Sequence, residues 1–553
     1  MIQTRLIMNN LFIKRRTRIV ALLCLVLGIS SCQDFLEVEP RDQVSDGTLW
    51  SSTANADLFL HDVYAGVPTM DSGDPWENYS DNSLNGQAGR TSAILYGASI
   101  YTPSNAPNRW ALYVQIRKAN LFIAKVTASA LPDAWKKQRL GEARFLRAYY
   151  YSLLWVSHGG VPIITDVLNQ STQGDAIFRP RNTSEETYKF IADECAASAE
   201  DLPVTAEAGR ATKGAALTLK AWTELFNASP LKNATNDKAK WAVAAATYKK
   251  VMDLKAYSLF PDYNTLFFEE NNNNVEVIFD RQHLGGTALA NYRESYLGPR
   301  FVYGTLTGFG HVDPTQDIVD EYAMANGLPI TAPGSGYDPQ NPYVNREKRF
   351  YQSIVYDGST WLGDLMIMKQ GVGSLNATDL NNSSVSTKTG YYLRKGMNTK
   401  YASVNNNLNG ANFILFRYAE VLLGYAEAQN EAVGADESVY SAVNLVRARS
   451  ELPPLTPGMT PAQMRVAIHR ERRVELAFED KRLPDLMRLK LAEKVLNGTV
   501  HAMKIDMVGG KPVYTVIPAA GGAKVFFPEK NYVLPIPQSA IDKNSKLTQN
   551  PNY

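Results

Sequence analysis

Glu142-Ala143-Arg144-Phe145-Leu146-Arg147-Ala148-Tyr149-Tyr150, running on to Gly159-Gly160-Val161-Pro162, decides the fold class. Ala143, Leu146, Tyr150 and Leu153 fall at helical spacing and so share one face. The two glycines and the proline then end the helix. Upstream, Leu112, Ile116, Ala119, Ile123, Val126 and Ala130 repeat the period. Downstream, Thr183 with Glu186 makes a capping-box pattern ahead of Tyr188, Ile191, Cys195, Ala199 and Leu202. Two more stripes follow, Ala215-Leu219-Trp222-Phe226 and Trp241-Ala245-Tyr248-Met252. The period returns at Leu415, Ala419, Leu422 and Ala426, and again at Met464, Ala467, Val474 and Phe478. Helices of this kind with small alanine contacts bury a core by stacking as pairs, as tetratricopeptide solenoids do. The strict repeat signature is absent. The reading is therefore a mainly α protein, with tetratricopeptide-like helix pairs as a scaffold over approximately 32–67, 111–254 and 413–553. The segments 68–110 and 255–412 are rich in Gly, Pro, Asn and Tyr and read as an irregular, loop-rich lobe suited to binding.

The 553 residues include 57 bases and 55 acids. Five of the bases (Arg5, Lys14, Arg15, Arg16, Arg18) lie in the first 31 residues, which hold no acid. The rest is slightly acidic, which gives no electrostatic reason for a nucleic-acid partner. Those bases precede an apolar run, Ile19 to Ile29, shorter than the 17–25 or so residues of a spanning helix. It has the length and flank of a signal-peptide core. Ile29-Ser30-Ser31-Cys32 follows, the pattern of a bacterial lipobox, so 1–31 reads as a signal peptide and Cys32 as the site of lipid attachment. Met1 or Met8 starts the chain. Of the three cysteines only Cys195 remains for the body, on a helical stripe, where it reads as a small core residue.

No G-x-S-x-G, P-loop or H-E-x-x-H motif occurs, and the six histidines stand singly without zinc-ligand spacing. Carboxylate pairs for glycoside hydrolysis meet in space and leave no sequence mark. Asp71, Asp74, Glu77 and Asp81 offer hard oxygens that suit Ca²⁺, a weak candidate for a structural ion without the EF-hand pattern. No other cofactor is expected. Glu471 falls on the apolar stripe between Ala467 and Val474, where a buried carboxylate needs a partner such as Arg417 or Arg447.

Six stretches in order resemble the SusD/RagB family of outer-membrane nutrient-binding lipoproteins of Bacteroidetes. They are Cys32-Gln33-Asp34-Phe35-Leu36-Glu37 with Pro40; the stretch quoted at the outset; Pro314-Thr315-Gln316-Asp317 through Gly327; Arg417-Tyr418-Ala419-Glu420-Val421 through Ala428; Glu471-Arg472-Arg473-Val474-Glu475-Leu476 with Arg482 and Asp485-Leu486; and Leu534-Pro535-Ile536-Pro537 through Tyr553. The resemblance implies one large domain over 32–553, lipid-anchored and facing outward at the outer membrane. It implies an oligosaccharide ligand, sometimes a peptide, and a SusC-like TonB-dependent transporter as partner. It implies binding without catalysis. A surface glycoside hydrolase and a peptide- or protein-binding lipoprotein are the alternatives.

Sugar rings need aromatic platforms for their C–H faces, with amides and carboxylates for the hydroxyl rim. The early loop offers Trp76, Tyr79, Asp81 and Asn82, then Tyr96 and Tyr101. The mid-chain lobe offers Tyr292, Tyr296, Arg300, Tyr303 and Trp361. Trp76 leads, because Pro75, Glu77 and Asn78 around it read as an exposed polar turn.

Overall fold

The computed structural model describes residues 46–69, 75–87, 95–302, 304–370, 380, 386–402 and 408–553. Cys32, the leader, Asp71, Asp74 and Tyr303 therefore lie outside the described residues. The chain divides after Ala56. The first unit contributes the short helix Asp46–Leu49, and helix α1, Thr53–Tyr64, runs across the division.

The second unit is built on helices α2 (Leu112–Ala128), α3 (Asp133–His158), α4 (Ser184–Asp201), α5 (Lys213–Ala228) and α6 (Lys238–Asp253), each packed on the next. Helix α6 then packs on α7 (Tyr418–Ala432), which meets both α8 (Glu437–Arg449) and α9 (Pro461–Glu475). The stack thus continues past residues 254–417 as if they were an insertion. At that junction Gly424 is required: a Cβ there would come within 2.4 Å of the Tyr248 ring. The α4 capping box is formed as read, with the Thr183 side chain accepting from the Glu186 amide. Helix α3 ends where Gly159, at φ 74°, returns its amide to the Trp155 carbonyl. Beside it, a Cβ on Gly160 would fall 2.1 Å from the Asn182 carbonyl oxygen, so only glycine fits. Among the described residues no helix is long and apolar enough to cross a membrane.

The C-terminal stretch from Leu534 locks onto this same corner. His158 Nδ1 lies 3.0 Å from the Pro535 carbonyl, and Asn550 donates to the carbonyls of His158 and Leu534. Arg181 joins the Gly160 and Thr548 carbonyls to the Asn550 side chain. Burial holds the His158 imidazole down at about 4, so it is neutral and its Nε2 accepts the Arg109 amide.

The mid-chain segment is less loose than its composition suggests. Short antiparallel ladders, such as Ile354–Val355 with Tyr392–Leu393, surround a core that includes Tyr322, Phe350, Trp361, Met366 and Tyr391. Strand β1 (Val277–Arg281) pairs with β2 (Phe413–Arg417) at its neck. A long hairpin, β3 (Gly498–Val508) and β4 (Lys511–Lys524), turns at Gly509-Gly510 and was not expected in the 413–553 scaffold.

Buried charge rivets lobe to scaffold. Arg417 lies 2.7 Å from Glu276 and 2.6 Å from Glu475, and its Nε donates to Glu479 at 2.8 Å. Arg349 from the lobe meets Glu471 at 2.7 Å and Glu475 at 2.9 Å on α9. Arg447 does supply the partner Glu471 needs, at 3.1 Å, while Arg417 serves the next two turns. Burial opposes ionisation of Glu479, but Arg417 and Lys395 prevail and hold its carboxyl at about 2.

Candidate functional site

One face of α3 carries Tyr149, Ser152, Leu153 and Val156, the spacing of a single helical stripe. This stripe forms the back of an open cleft of about 230 Å³. Trp222 of α5, residues 413–416 of β2, the Glu479–Pro484 turn and the 531–534 strap supply the other walls. Trp76 and Arg109 close one end. Trp76, Trp222 and Tyr532 are all partly exposed there, as is expected of amphipathic rings that present one face to a ligand.

The floor is polar. Asp480 sits at φ 58°, in the left-handed region, and its Oδ1 accepts the Glu77 amide at 2.9 Å. Burial pushes the Asp480 carboxyl up against the pull of the Arg109 charge. Glu77 beneath it is pushed up to about 7 by burial and by the Asp480 charge. Lys481 is committed to Glu420 at 2.9 Å and to the Leu415 carbonyl.

Of the residues proposed from sequence as sugar contacts, Trp76 and Tyr96 line this cleft, Tyr303 lies outside the described residues, and the others are not among the lining residues. Even Trp76 differs from the expected exposed tip. Glu77 and Asn78 are each 1% exposed, because both find interior partners: Asp480 and Asn82 for Glu77, and the His311 carbonyl for Asn78. One face of the indole is covered by Arg109, whose guanidinium carbon lies 4.1 Å from the ring centre. Tyr79 and Tyr101 are core residues in a stack that runs Trp76, Tyr79, Tyr96, Tyr101, Tyr553, with centroid spacings of 5.3, 4.7, 5.6 and 6.0 Å. Asp81 is gripped by Arg473 at 2.7 Å and Arg482 at 2.8 Å, and Asn82 accepts from Arg473. Trp361, 2% exposed, belongs to the lobe core. Tyr296 and Arg300 are partly exposed on the lobe, where Tyr296 packs near His311 at 5.4 Å and Phe309 at 6.2 Å. Two of the four oxygens considered for Ca²⁺, those of Asp71 and Asp74, lie outside the described residues. Asp81 is committed to its arginines, and Glu77 accepts from Asn82 and the Phe478 amide through Oε1 alone.

Trp222, Arg109, Asp480 and Tyr532 were not singled out as site residues from sequence. Trp222 stood on a helical stripe and read as core. Its size was the available signal, since tryptophan is seldom buried whole.

The geometry defines a stacked-helix scaffold that carries an inserted lobe and an open aromatic cleft, the form of a binding protein. The sequence profile described as the SusD family matches residues 275–553, and one described as "starch-binding associating with outer membrane" matches residues 34–223. The chain belongs to the SusD family. It is 25% identical to SusD-like protein P38 of Formosa agariphila, over 89% of this chain and 94% of that one. A SusD-like protein of Bacteroides fragilis superposes with a TM-score of 0.77 at 28% identity, covering 93% of this chain and all of the other. A SusD-like carbohydrate-binding protein of the same species gives 0.77 at 26%, covering 91% of this chain and all of the other.

Proposed function

We propose that this protein is a cell-surface glycan-binding lipoprotein. It holds an oligosaccharide in the cleft and delivers it to a SusC-like TonB-dependent transporter in the outer membrane, to which Cys32 tethers it by lipid. The observation that carries the reading is the cleft itself, with three partly exposed aromatic rings around a polar floor. The carbohydrate-binding B. fragilis relative and the outer-membrane description of the N-terminal match support it. The chemistry favours binding over hydrolysis. A glycosidase sets two carboxyl groups about the scissile bond. Among the described residues two acids line the cleft, and Glu479 has both oxygens held by Arg417 and Lys395, which leaves Asp480.

Trp222→Ala is expected to weaken glycan binding by about 2 kcal/mol, roughly thirtyfold. Calorimetric titration, paired with a melting curve, is the check. Unchanged affinity with an unchanged melt removes Trp222 from the site. Cys32→Ala is expected to leave the protein unacylated and free of the membrane. Its persistence in the outer-membrane fraction after a high-salt wash would refute the anchor.

A further inference from the structure

Arg109, half-buried, differs from the arginines that anchor the charge clusters of this fold. Arg349, Arg417, Arg472 and Arg488 each reach at least one carboxylate. The Arg109 guanidinium lines the cleft, lies over Trp76 at 4.1 Å, and makes no hydrogen bond or ion pair with any described residue. Burial disfavours its charge. Among the described residues its five N–H donors meet no hydrogen-bond acceptor, although the Asp480 charge acts on it, and they sit in a wall that faces the ligand space. A guanidinium fork of this kind matches a planar carboxylate or a tetrahedral sulfate.

The other charges of the cleft cancel locally. Glu479 is neutralised by Arg417 and Lys395, and Lys481 by Glu420. Among the described residues Asp480 is the other charge of the cleft, with one oxygen turned to the Glu77 amide and its charge felt by Arg109. It stands against an incoming anion and so sets the contrast that a test exploits.

We propose that the cleft selects an acidic oligosaccharide, with the carboxylate of a uronic acid or a sulfate ester docked on the Arg109 guanidinium while the sugar faces meet Trp222 and Tyr532. This rests on the glycan-binding reading above. Three hexasaccharides serve as probes: a galacturonate oligomer, a sulfated galactan and a neutral glucan. The protein is expected to bind one of the acidic sugars at least tenfold more tightly than the neutral one, and which of them binds identifies the anion. Arg109→Gln is expected to remove about tenfold of that affinity, in line with a hydrogen bond to a charged group, and to leave the neutral sugar unchanged. Arg109→Lys, which keeps the charge and loses the fork, should fall between. Asp480→Asn, able to keep the left-handed backbone and to accept the Glu77 amide, should tighten acidic-sugar binding alone. Equal affinity for acidic and neutral sugars, or a change on Arg109→Gln that is the same for both, overturns the proposal and leaves glycan binding standing. Failure of the intact protein to bind any of the three removes the glycan reading itself. If Arg109→Gln melts early, the intact protein against Asp480→Asn still decides the matter.

Discussion

Replacing Arg417 with methionine should cost about 3–5 kcal/mol of folding stability, the range for stripping one partner from a buried ionic cluster. The side chain is 1% exposed and is shared by Glu276, Glu475 and Glu479. Without it, Arg449 still faces Glu276 and Glu475, but Glu479 keeps only Lys395. The excess negative charge would sit at the joint between the lobe neck and the α9 end. Urea unfolding at neutral pH measures the loss. As a contrast, Lys189→Met breaks the exposed Lys189–Asp193 pair on α4 and should leave the midpoint where it was. If the two variants unfold alike, the buried cluster has no special weight in the fold.

A second large effect follows from acid. Glu475, Glu427, Asp81 and Glu479 all keep carboxyl values below those of the unfolded chain, because arginines outweigh the cost of burial. A depressed folded value means stability that is complete above the unfolded value, about 4 for a carboxyl, and is lost as pH falls below it. Glu479, at about 2 in the fold, accounts for about 2–3 kcal/mol of this by itself. Between pH 7 and 5 the balance differs. Glu77 and Asp313, each pushed up to about 7 chiefly by burial, give stability that is present at low pH and is lost as pH rises through 7. His158, pushed down to about 4, works the other way: the unfolded imidazole protonates below about 6.5 and draws stability away as pH falls. The two carboxyls outweigh the single imidazole. The melting temperature should therefore rise slightly from pH 7 to 5 and drop steeply from pH 4 to 2. A melt that is flat down to pH 3 would contradict the arginine-held carboxylates.

The helical scaffold was legible because its signals are local. An apolar stripe on α3, the Thr183–Glu186 box and the Gly159-Gly160 stop each lie within a few turns of sequence, and each was realised. The hairpin was equally local, since Gly509-Gly510 between alternating strands is a recognised turn signal. The helical stripes ahead of it mask that signal, so 413–553 reads as scaffold throughout. The cleft was harder, for a physical reason. Glu77 looked exposed because a charged residue in a turn normally stays in water, yet its amide meets Asp480, 403 positions away. Asn78 is satisfied by a carbonyl 233 positions away. Polarity forecasts exposure only when no distant group answers it, and distant partners leave no trace in a local window. Arg109 and Asp480 share this invisibility, because their roles exist only once α3, β2 and the post-α9 turn have met.

The strap that closes on His158 has a consequence for the order in which the chain matures. The bond from His158 to Pro535 spans 377 positions, and that from Asn550 to the His158 carbonyl spans 392. Loop closure over such a span is entropically late, so contacts of this kind form after the local helices. The corner at the end of α3, and with it the cleft wall that Asn531 to Leu534 provide, cannot be finished until residues 531–550 have emerged. A chain that stopped just before them would hold helices α1 to α9 and yet lack this wall of the cleft. The cleft wall at the end of α3 is therefore one of the late features of this fold, set by contacts that span most of the chain.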